Sequence, residues 1–183
     1  MTLAQRLLAI HQALEAGGFE HAFGGAIALA YWTLDPRGTS DIDVNVFAAA
    51  EHAEPALAAL PSAIDHDEGT VEAIARDGQI RLWWDETPID LFFDNVPLHV
   101  SAARNRRIVP FAGQEIPVLG PIELAVFKAM FDRTRDWADI EAMLTAGTLD
   151  VDFVREQIIA MVGPRDPRIA RLEDAVRRAD GPG

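Results

Sequence analysis

Residues 23–47, FGGAIALAYWTLDPRGTSDIDVNVF, contain the pattern that decides the fold of this chain. Two glycines open an apolar helical run, a turn at 35–38 interrupts it, and polar and apolar residues then alternate up to Phe47. Alternation with a period of two is typical of a β-strand, because successive side chains on a strand point to opposite faces. We therefore predict a strand over 39–47 with two faces. The buried face carries Ile42, Val44 and Val46, and the other carries Asp41, Asp43 and Asn45.

The acidic face of this strand predicts a cation site. Asp41 and Asp43 are too close for both to ionise comfortably without a cation. Hard oxygen ligands grouped in this way suit Mg²⁺ or Mn²⁺, and such ions are usually shared with substrate phosphates. Upstream, Gly24-Gly25 at a strand-to-helix junction lets a phosphate approach backbone N–H groups at the positive end of the helix. The combination indicates nucleotide and metal chemistry.

The composition favours one domain with a helical extension. The chain has 183 residues, of which 49% are hydrophobic, and it has no cysteine, so disulfides, thiol nucleophiles and cysteine-based metal sites are excluded. The formal charge of −13 argues against a broad nucleic-acid surface. Solubility and a basic partner are the two interpretations of this acidity. The candidates for a local basic patch are Arg104, Arg106 and Arg107, and Arg133 and Arg135.

The first residues of the chain predict a helix rather than a targeting signal. Polar residues interrupt the apolar positions of MTLAQRLLAIHQALEAGGF, which is amphipathic patterning. No run approaches the roughly 18 apolar residues of a membrane span. We expect a soluble cytoplasmic protein without membrane association.

The remaining pattern predicts a mixed α/β fold with an all-helical end. Helices are expected at 3–16, 24–34, 49–60 and 97–104, and strands at 19–23, 39–47, 71–75, 79–84, 89–95, 108–111 and 115–119. Asp77-Gly78 is interpreted as the turn of a hairpin between the strands 71–75 and 79–84. From residue 121 onward four helices are expected, at 122–132, 136–146, 152–162 and 168–178. We predict a catalytic core over 1–120 and a helical subdomain over 121–183 packed on it.

A third acid lies on the strand PIDLFFDN. Asp90 is mid-strand between Ile89 and Leu91, where a carboxylate is costly unless it meets a cation, a donor or water. Asp90 is therefore a metal-ligand candidate, and exposure on a half-solvated strand is the alternative.

Together these residues resemble the nucleotidyltransferase signature of the DNA polymerase β superfamily: Gly24-Gly25, then Thr39-Ser40-Asp41-Ile42-Asp43, then Ile89-Asp90-Leu91. The resemblance implies a mixed sheet flanked by helices, with the three acids holding two Mg²⁺ ions. One metal would activate the attacking oxygen and the other would hold the triphosphate. The family often has Gly-Ser where this chain has Gly24-Gly25, so a hydroxyl contact is missing or is supplied by Ser40.

Residues 123–144, ELAVFKAMFDRTRDWADIEAML, are similar to a helical segment of the small AbiEii-type nucleotidyltransferases, many of them toxins of bacterial toxin–antitoxin pairs. The matching positions are Lys128, Arg133, Asp136 and Asp139. Lys128 is the only lysine among 16 basic residues, which suggests a chemical reason for it. The alternatives are a helical pair of Lys128 with Asp132, an N-cap role for Asp136, a solvated face for Asp139, and an Arg135–Asp139 pair.

The resemblance implies an enzyme that moves a nucleoside monophosphate from an NTP to an acceptor hydroxyl and releases pyrophosphate. The predicted catalytic residues are Asp41, Asp43, Asp90 and Lys128, and the three acids are also the metal ligands. The predicted nucleotide-binding residues are Gly24, Gly25, Arg37, Thr39, Ser40, Lys128 and Asp139. Two Mg²⁺ ions, or Mn²⁺ in their place, are the expected cofactors.

The acceptor is open between several classes. The AbiEii-like segment favours a toxin that acts on RNA, such as a tRNA 3′ end, with an antitoxin protein as partner. Transfer to a small molecule in the manner of antibiotic-modifying enzymes, or to a protein, is the alternative, and a polycationic drug suits an acidic surface. A non-catalytic module that uses the same fold to bind a partner is the third hypothesis.

Overall fold

The computed structural model describes residues 1–181, and its contacts divide the chain into two compact units. The first unit comprises residues 1–27 and 38–119, and the second comprises residues 28–37 and the chain from Gly120 onward. The last two residues of the predicted helical part, 182 and 183, lie outside the described residues. No helix of residues 1–181 combines the length and the apolar character that crossing a membrane requires.

The first unit is built on a mixed sheet. Its strands are β1 (His21–Phe23), β2 (Ile42–Ala49), β3 (Gln79–Trp84), β4 (Thr87–Asp94), β5 (Arg107–Phe111) and β6 (Gln114–Val118). The strand order is β3-β4-β2-β1-β6-β5. β2 runs parallel to β4, β1 runs parallel to β6, and the other neighbouring pairs are antiparallel. The predicted mixed sheet flanked by helices is confirmed.

The buried face predicted for the central strand β2 is confirmed, but Asn45 on the opposite face is also buried. Ile42, Val44 and Val46 are almost completely inaccessible to solvent. The helices of this unit are α1 (Leu3–Ala16), the first residues of α2 (Gly25–Thr33), α3 (Ala53–Ala59), α4 (Glu68–Asp77) and α5 (Leu98–Asn105), with a 3-10 turn at Ala50–His52. α1 begins at a capping box of Thr2 and Gln5.

The predicted strand at 71–75 is wrong, because this segment belongs to the helix α4. Asp67 caps α4 by accepting a hydrogen bond from the backbone of Thr70, and the Thr70 side chain bonds back to Asp67. Gly78 ends the helix in the left-handed conformation, with φ of 70°, and donates to Ile74. Asp77-Gly78 is thus a helix end rather than a hairpin turn. The hairpin lies one strand later, at Asp85-Glu86 between β3 and β4.

The second unit is helical. It contains the rest of α2, and then α6 (Pro121–Phe131), α7 (Thr134–Thr145), α8 (Val151–Val162) and α9 (Pro167–Ala179). Its core residues include Leu124, Ile140, Met143, Ile158 and Leu172. Asp132 links three helices: its carboxylate accepts from the Trp137 indole at 2.8 Å and from Arg171 at 2.6 Å.

Candidate active site

Asp43 and Asp90 are paired residues on the parallel strands β2 and β4. Paired residues on neighbouring strands share a face of the sheet, so the two carboxylates lie on the same side. Asp41 immediately precedes β2 and is two residues from Asp43, which gives it the same orientation along the extended chain. The first unit thus brings the three predicted acids to one region.

The Asp90 carboxylate is neither unpaired nor fully solvated, because Arg81 forms an ion pair with it. Arg81 is opposite Asp90 in the β3–β4 hairpin, and its Nε and Nη2 donate to the two carboxylate oxygens at 2.7 and 2.6 Å. These hydrogen bonds, together with the charge of Asp90, Asp41 and Asp43, raise the pKa of the Arg81 guanidinium. Arg81 was missed from the sequence, although closing the hairpin at Asp85-Glu86 aligns it with Asp90.

The chemistry of these donors fits a hard divalent cation. The Asp90 carboxylate is bonded to the Arg81 guanidinium, and the charges of Asp41 and Asp43 also act on this guanidinium. Within residues 1–181, however, no three acid or histidine side chains are positioned as they stand to hold one metal ion. Binding a metal through all three acids therefore requires the side chains to rearrange.

The glycine pair is in direct contact with the acid strand. The Gly24 N–H donates to the Asp43 carbonyl at 2.9 Å. Gly25 begins α2 with φ of 52°, and a Cβ added to it would stand 1.9 Å from Asp43 Oδ2. The Asp43 carboxylate therefore occupies the space that a side chain at position 25 needs. This explains in physical terms why glycine, and not serine, stands here.

Thr39 orients the first acid of the motif. Its hydroxyl donates to the Asp41 carboxylate and also contacts the Asp41 backbone. Ser40 is exposed beside it. Both residues belong to the first unit together with Gly24 and Gly25.

The predicted residues Arg37, Lys128 and Asp139 form an ion cluster within the second unit. Lys128 Nζ is 2.6 Å from Asp139 Oδ2, and Arg37 is 2.7 Å from Asp139 Oδ1. Asp136 lies 4.0 Å from Lys128 and is also bound by Arg133 at 2.6 Å. Three basic and two acidic side chains give this cluster a formal charge of +1. Lys128, Asp136 and Asp139 are buried, whereas half of the Arg37 side chain is exposed.

This cluster decides between the interpretations that the sequence leaves open. The partner of Lys128 is Asp139 and not Asp132, and Asp139 is buried rather than solvated. The Arg135–Asp139 pair is also wrong, since the carboxylate of Asp139 is bound by Arg37 and Lys128. Asp136 is the third residue of α7, and Arg133 is the N-cap. The Asp136 carboxylate accepts from the Arg133 backbone N–H, so it stabilises the helix start from inside the helix.

β3 also exposes an aromatic ring near the acids. Arg81 and Trp83 alternate with the buried Leu82 and Trp84, so Trp83 is on the face of Arg81. Its exposed fraction is 52%, against 6% for Trp84, so Trp83 lies at the surface and Trp84 in the core. Trp83, Arg81, Asp65 and Asp85 line a cavity of about 440 Å³.

This architecture, with a mixed sheet carrying an acid–apolar–acid strand and a third acid on its parallel neighbour, is the nucleotidyltransferase fold. Among solved structures, the chain is similar to the antibiotic-resistance factor ANT(2'')-Ia in its solution structure. The TM-score is 0.62 at 12% identity, covering 96% of this chain and 97% of that one. A crystal structure of ANT(2'')-Ia in complex with adenylyl-2''-tobramycin gives a TM-score of 0.55 at 14% identity, covering 99% and 100%.

A nucleotidyltransferase-like protein of Paracoccidioides brasiliensis is also similar, with a TM-score of 0.49 at 15% identity and coverage of 94% and 85%. No protein-family model matches the chain, and no curated protein matches it.

Proposed function

We propose that this protein is a metal-dependent nucleotidyltransferase that transfers a nucleoside monophosphate from an NTP to an acceptor hydroxyl. The observation that carries the proposal is the pairing of Asp43 with Asp90, with Asp41 two residues before Asp43. The acceptor oxygen forms a bond to the α-phosphorus, the bond from that phosphorus to the β-phosphate oxygen breaks, and pyrophosphate leaves. The hydroxyl proton goes to the Asp90 carboxylate.

The residues of the first unit have separate roles in this proposal. Asp41, Asp43 and Asp90 would hold two Mg²⁺ ions, which supply charge stabilisation to the phosphates and lower the pKa of the attacking hydroxyl. Thr39 fixes the Asp41 carboxylate, and the missing side chain at Gly25 leaves room for the Asp43 carboxylate at the start of α2. Ser40 offers an exposed hydroxyl to the triphosphate.

The second unit has its own candidate cations for phosphate, the half-exposed Arg37 and the buried Lys128. Both are already bound to Asp139, so the proposal gives Asp139 the task of holding them in position. The two Nη groups of Arg37 already bind both oxygens of Asp139, so phosphate binding at Arg37 requires one of these contacts to break.

The acceptor that we favour is a small cationic molecule. The chain carries a formal charge of −13, which attracts cations. Trp83 supplies an exposed ring face near Asp90, and Asp65 and Asp85 line the adjoining cavity. A ring with amino substituents has the complementary chemistry, since its face packs on an indole and its ammonium groups pair with carboxylates. The ANT(2'')-Ia complex supports this choice, because the molecule bound in that crystal structure is adenylyl-2''-tobramycin.

RNA is the second candidate acceptor, and the similarity of residues 123–144 to AbiEii-type enzymes favours it. In this alternative the protein is a toxin that modifies RNA such as a tRNA 3′ end, and an antitoxin is its partner. Arg104 and Arg107 are exposed and offer a local basic patch despite the overall acidity.

The deciding experiment is label transfer from each α-³²P-NTP with Mg²⁺, with tobramycin, total cellular RNA and lysate protein offered separately. Label on tobramycin that disappears in Asp43→Ala supports the favoured function, and label on RNA with the same dependence selects the toxin. Asp77→Ala is the matched control, since Asp77 is an exposed acid of the same unit that pairs with Arg76. If no acceptor is labelled and NTP does not bind, the enzyme proposal is wrong and a partner-binding module remains.

A further inference from the structure

Arg81 neutralises an acid that the proposed reaction needs. Its planar fork matches the Asp90 carboxylate, with one N–H on each oxygen at 2.7 and 2.6 Å. The negative charges of Asp41 and Asp43 act on the same guanidinium. Arg81 is therefore the counter-ion of Asp90, and the charges of Asp41 and Asp43 also attract it.

A divalent cation and this guanidinium cannot occupy the acid group together without repulsion. A metal that binds through both Asp43 and Asp90 lies beside the carboxylate that Arg81 now grips, because the two acids are paired on β2 and β4. A divalent cation and a guanidinium on the same carboxylate repel each other strongly near a protein surface. Metal binding thus requires the hydrogen bonds between Arg81 and Asp90 to break.

The position of Arg81 allows its side chain to move away from Asp90. β3 is an edge strand of the sheet, and half of the Arg81 side chain is exposed, at 51%. When the Arg81 side chain moves away from Asp90, its charge is hydrated by water. This movement requires no change in the core, because the buried residues Leu82 and Trp84 keep β3 in place.

We propose that Arg81 is a displaceable internal cation, which holds Asp90 in the metal-free protein and exchanges that carboxylate for a phosphate oxygen when a metal–nucleotide complex binds. The inference rests on the proposed function. Arg81 then has two opposite effects on metal affinity. It weakens the binding of a metal ion alone, and it strengthens the binding of a metal ion together with a triphosphate. The nucleotide brings an anion that compensates the released guanidinium, so metal and nucleotide bind together rather than in sequence.

The test is Mn²⁺ binding, followed by the loss of the free-ion paramagnetic resonance signal, with and without a non-hydrolysable NTP analogue. We compare the full chain with Arg81→Gln, Arg81→Lys and Arg76→Gln. Arg76 is the matched control because it forms an exposed bidentate pair with Asp77 in the same unit. Asp43→Ala marks binding at the acid group.

Without nucleotide, Arg81→Gln is expected to bind Mn²⁺ about tenfold more tightly than the unmodified chain, as loss of a charge-assisted hydrogen-bond pair implies. With the analogue, the order reverses, and Arg81→Gln binds the metal–nucleotide complex more weakly. Arg81→Lys keeps the charge without the fork and lies between, while Arg76→Gln matches the unmodified chain.

Equal Mn²⁺ affinity in Arg81→Gln and the unmodified chain, with binding lost in Asp43→Ala, overturns the role of Arg81 and leaves the proposed function intact. If Arg81→Gln binds Mn²⁺ more tightly without nucleotide but does not bind the metal–nucleotide complex more weakly, the proposed exchange at Arg81 is also wrong. Absence of Mn²⁺ binding in every variant, with and without the analogue, overturns the proposed function and this inference with it.

Discussion

Asp43 and Asp90 face the same side of the sheet from adjacent parallel strands, and each is held by a different neighbour. Gly25 leaves the space that Asp43 fills, and Arg81 binds both oxygens of Asp90. The two carboxylates are thus positioned by the backbone on one side and by an arginine on the other. Each of these supports can be removed separately.

Asp43→Asn is expected to reduce nucleotidyl transfer by at least about 100-fold, because it removes a charge that stabilises the phosphates through the metal. The melting temperature should stay within about 2 °C, since the change relieves repulsion among the acids. Label transfer and a thermal melt measure the two effects, with Asp77→Asn as control. A large fall in melting temperature would mean that Asp43 acts mainly as a structural residue.

Gly25→Ala is expected to lower stability by about 1–3 kcal/mol and to abolish most activity. The positive φ strains any residue with a Cβ, and the added methyl group displaces the Asp43 carboxylate. Urea unfolding and label transfer measure these effects. Gly18→Ala separates the two causes, because Gly18 also has a positive φ, of 75°, but an added Cβ meets no atom within 4 Å. If both variants lose activity equally, the contact with Asp43 is not the reason.

Removal of Asp139 should cost more stability than removal of Lys128. Asp139→Ala leaves Lys128 buried without its close partner, and breaking a buried ion pair in this way costs about 3–5 kcal/mol. Lys128→Met leaves Asp139 paired with the half-exposed Arg37, so we expect about 1–3 kcal/mol.

Urea unfolding of both single variants and the double variant measures the coupling between Lys128 and Asp139. Asp152→Ala is the control, as it breaks an exposed pair with Arg155 in the same unit. The prediction is contradicted if Lys128→Met proves the more costly change. Activity retained in Lys128→Met would reduce this lysine to a structural role.

The free energy of unfolding should decrease as the pH falls below 6.5. Burial lowers the pKa of His21, whose Nδ1 donates to the Phe19 carbonyl and whose Nε2 lies 2.9 Å from His11 Nδ1. Burial lowers the pKa of His99 in the same sense. In this range the unfolded chain binds more protons than the folded one, so acid favours unfolding.

Denaturant titrations at pH 7.5, 6.5, 6.0 and 5.5, as chosen test conditions around the ordinary histidine pKa of about 6.5, measure this slope. His21→Gln should reduce it, while His52→Gln, at an exposed histidine, should leave it unchanged. A slope of the same size in His21→Gln would assign the effect to other groups. Asp94, whose pKa burial raises, acts in the opposite direction at lower pH and does not mimic the effect.

The strands of the acid motif could be predicted because their signal is local. Ile42, Val44 and Val46 alternate with polar residues, and one buried face is enough to define such a strand. The helix α4 could not be recognised in this way. Its ends depend on the hydrogen bonds of Asp67 and on the left-handed Gly78, and Asp-Gly fits a hairpin turn equally well by residue type.

The candidate site was predictable by residue type and less so by contact. Arg37 and Asp139 are 102 positions apart, so no periodicity links them. The burial of Asp139 depends on the helices packed around it, whereas the helical pattern of the sequence alone predicts that Asp139 is exposed to solvent. The pairing of Arg81 with Asp90 follows from the hairpin register, which was assigned one strand too early.

The burial of Lys128 also gives the chain a chemical property that most proteins lack. Because it is the only lysine, its Nζ is the single side-chain amine, and its ion pair with Asp139 shields it from solvent. Acylating reagents can therefore reach a lysine only when this cluster opens. The rate at which Lys128 is acetylated, measured from the mass of one peptide, therefore reports how often the packing around Lys128 on α6 and Asp139 on α7 opens.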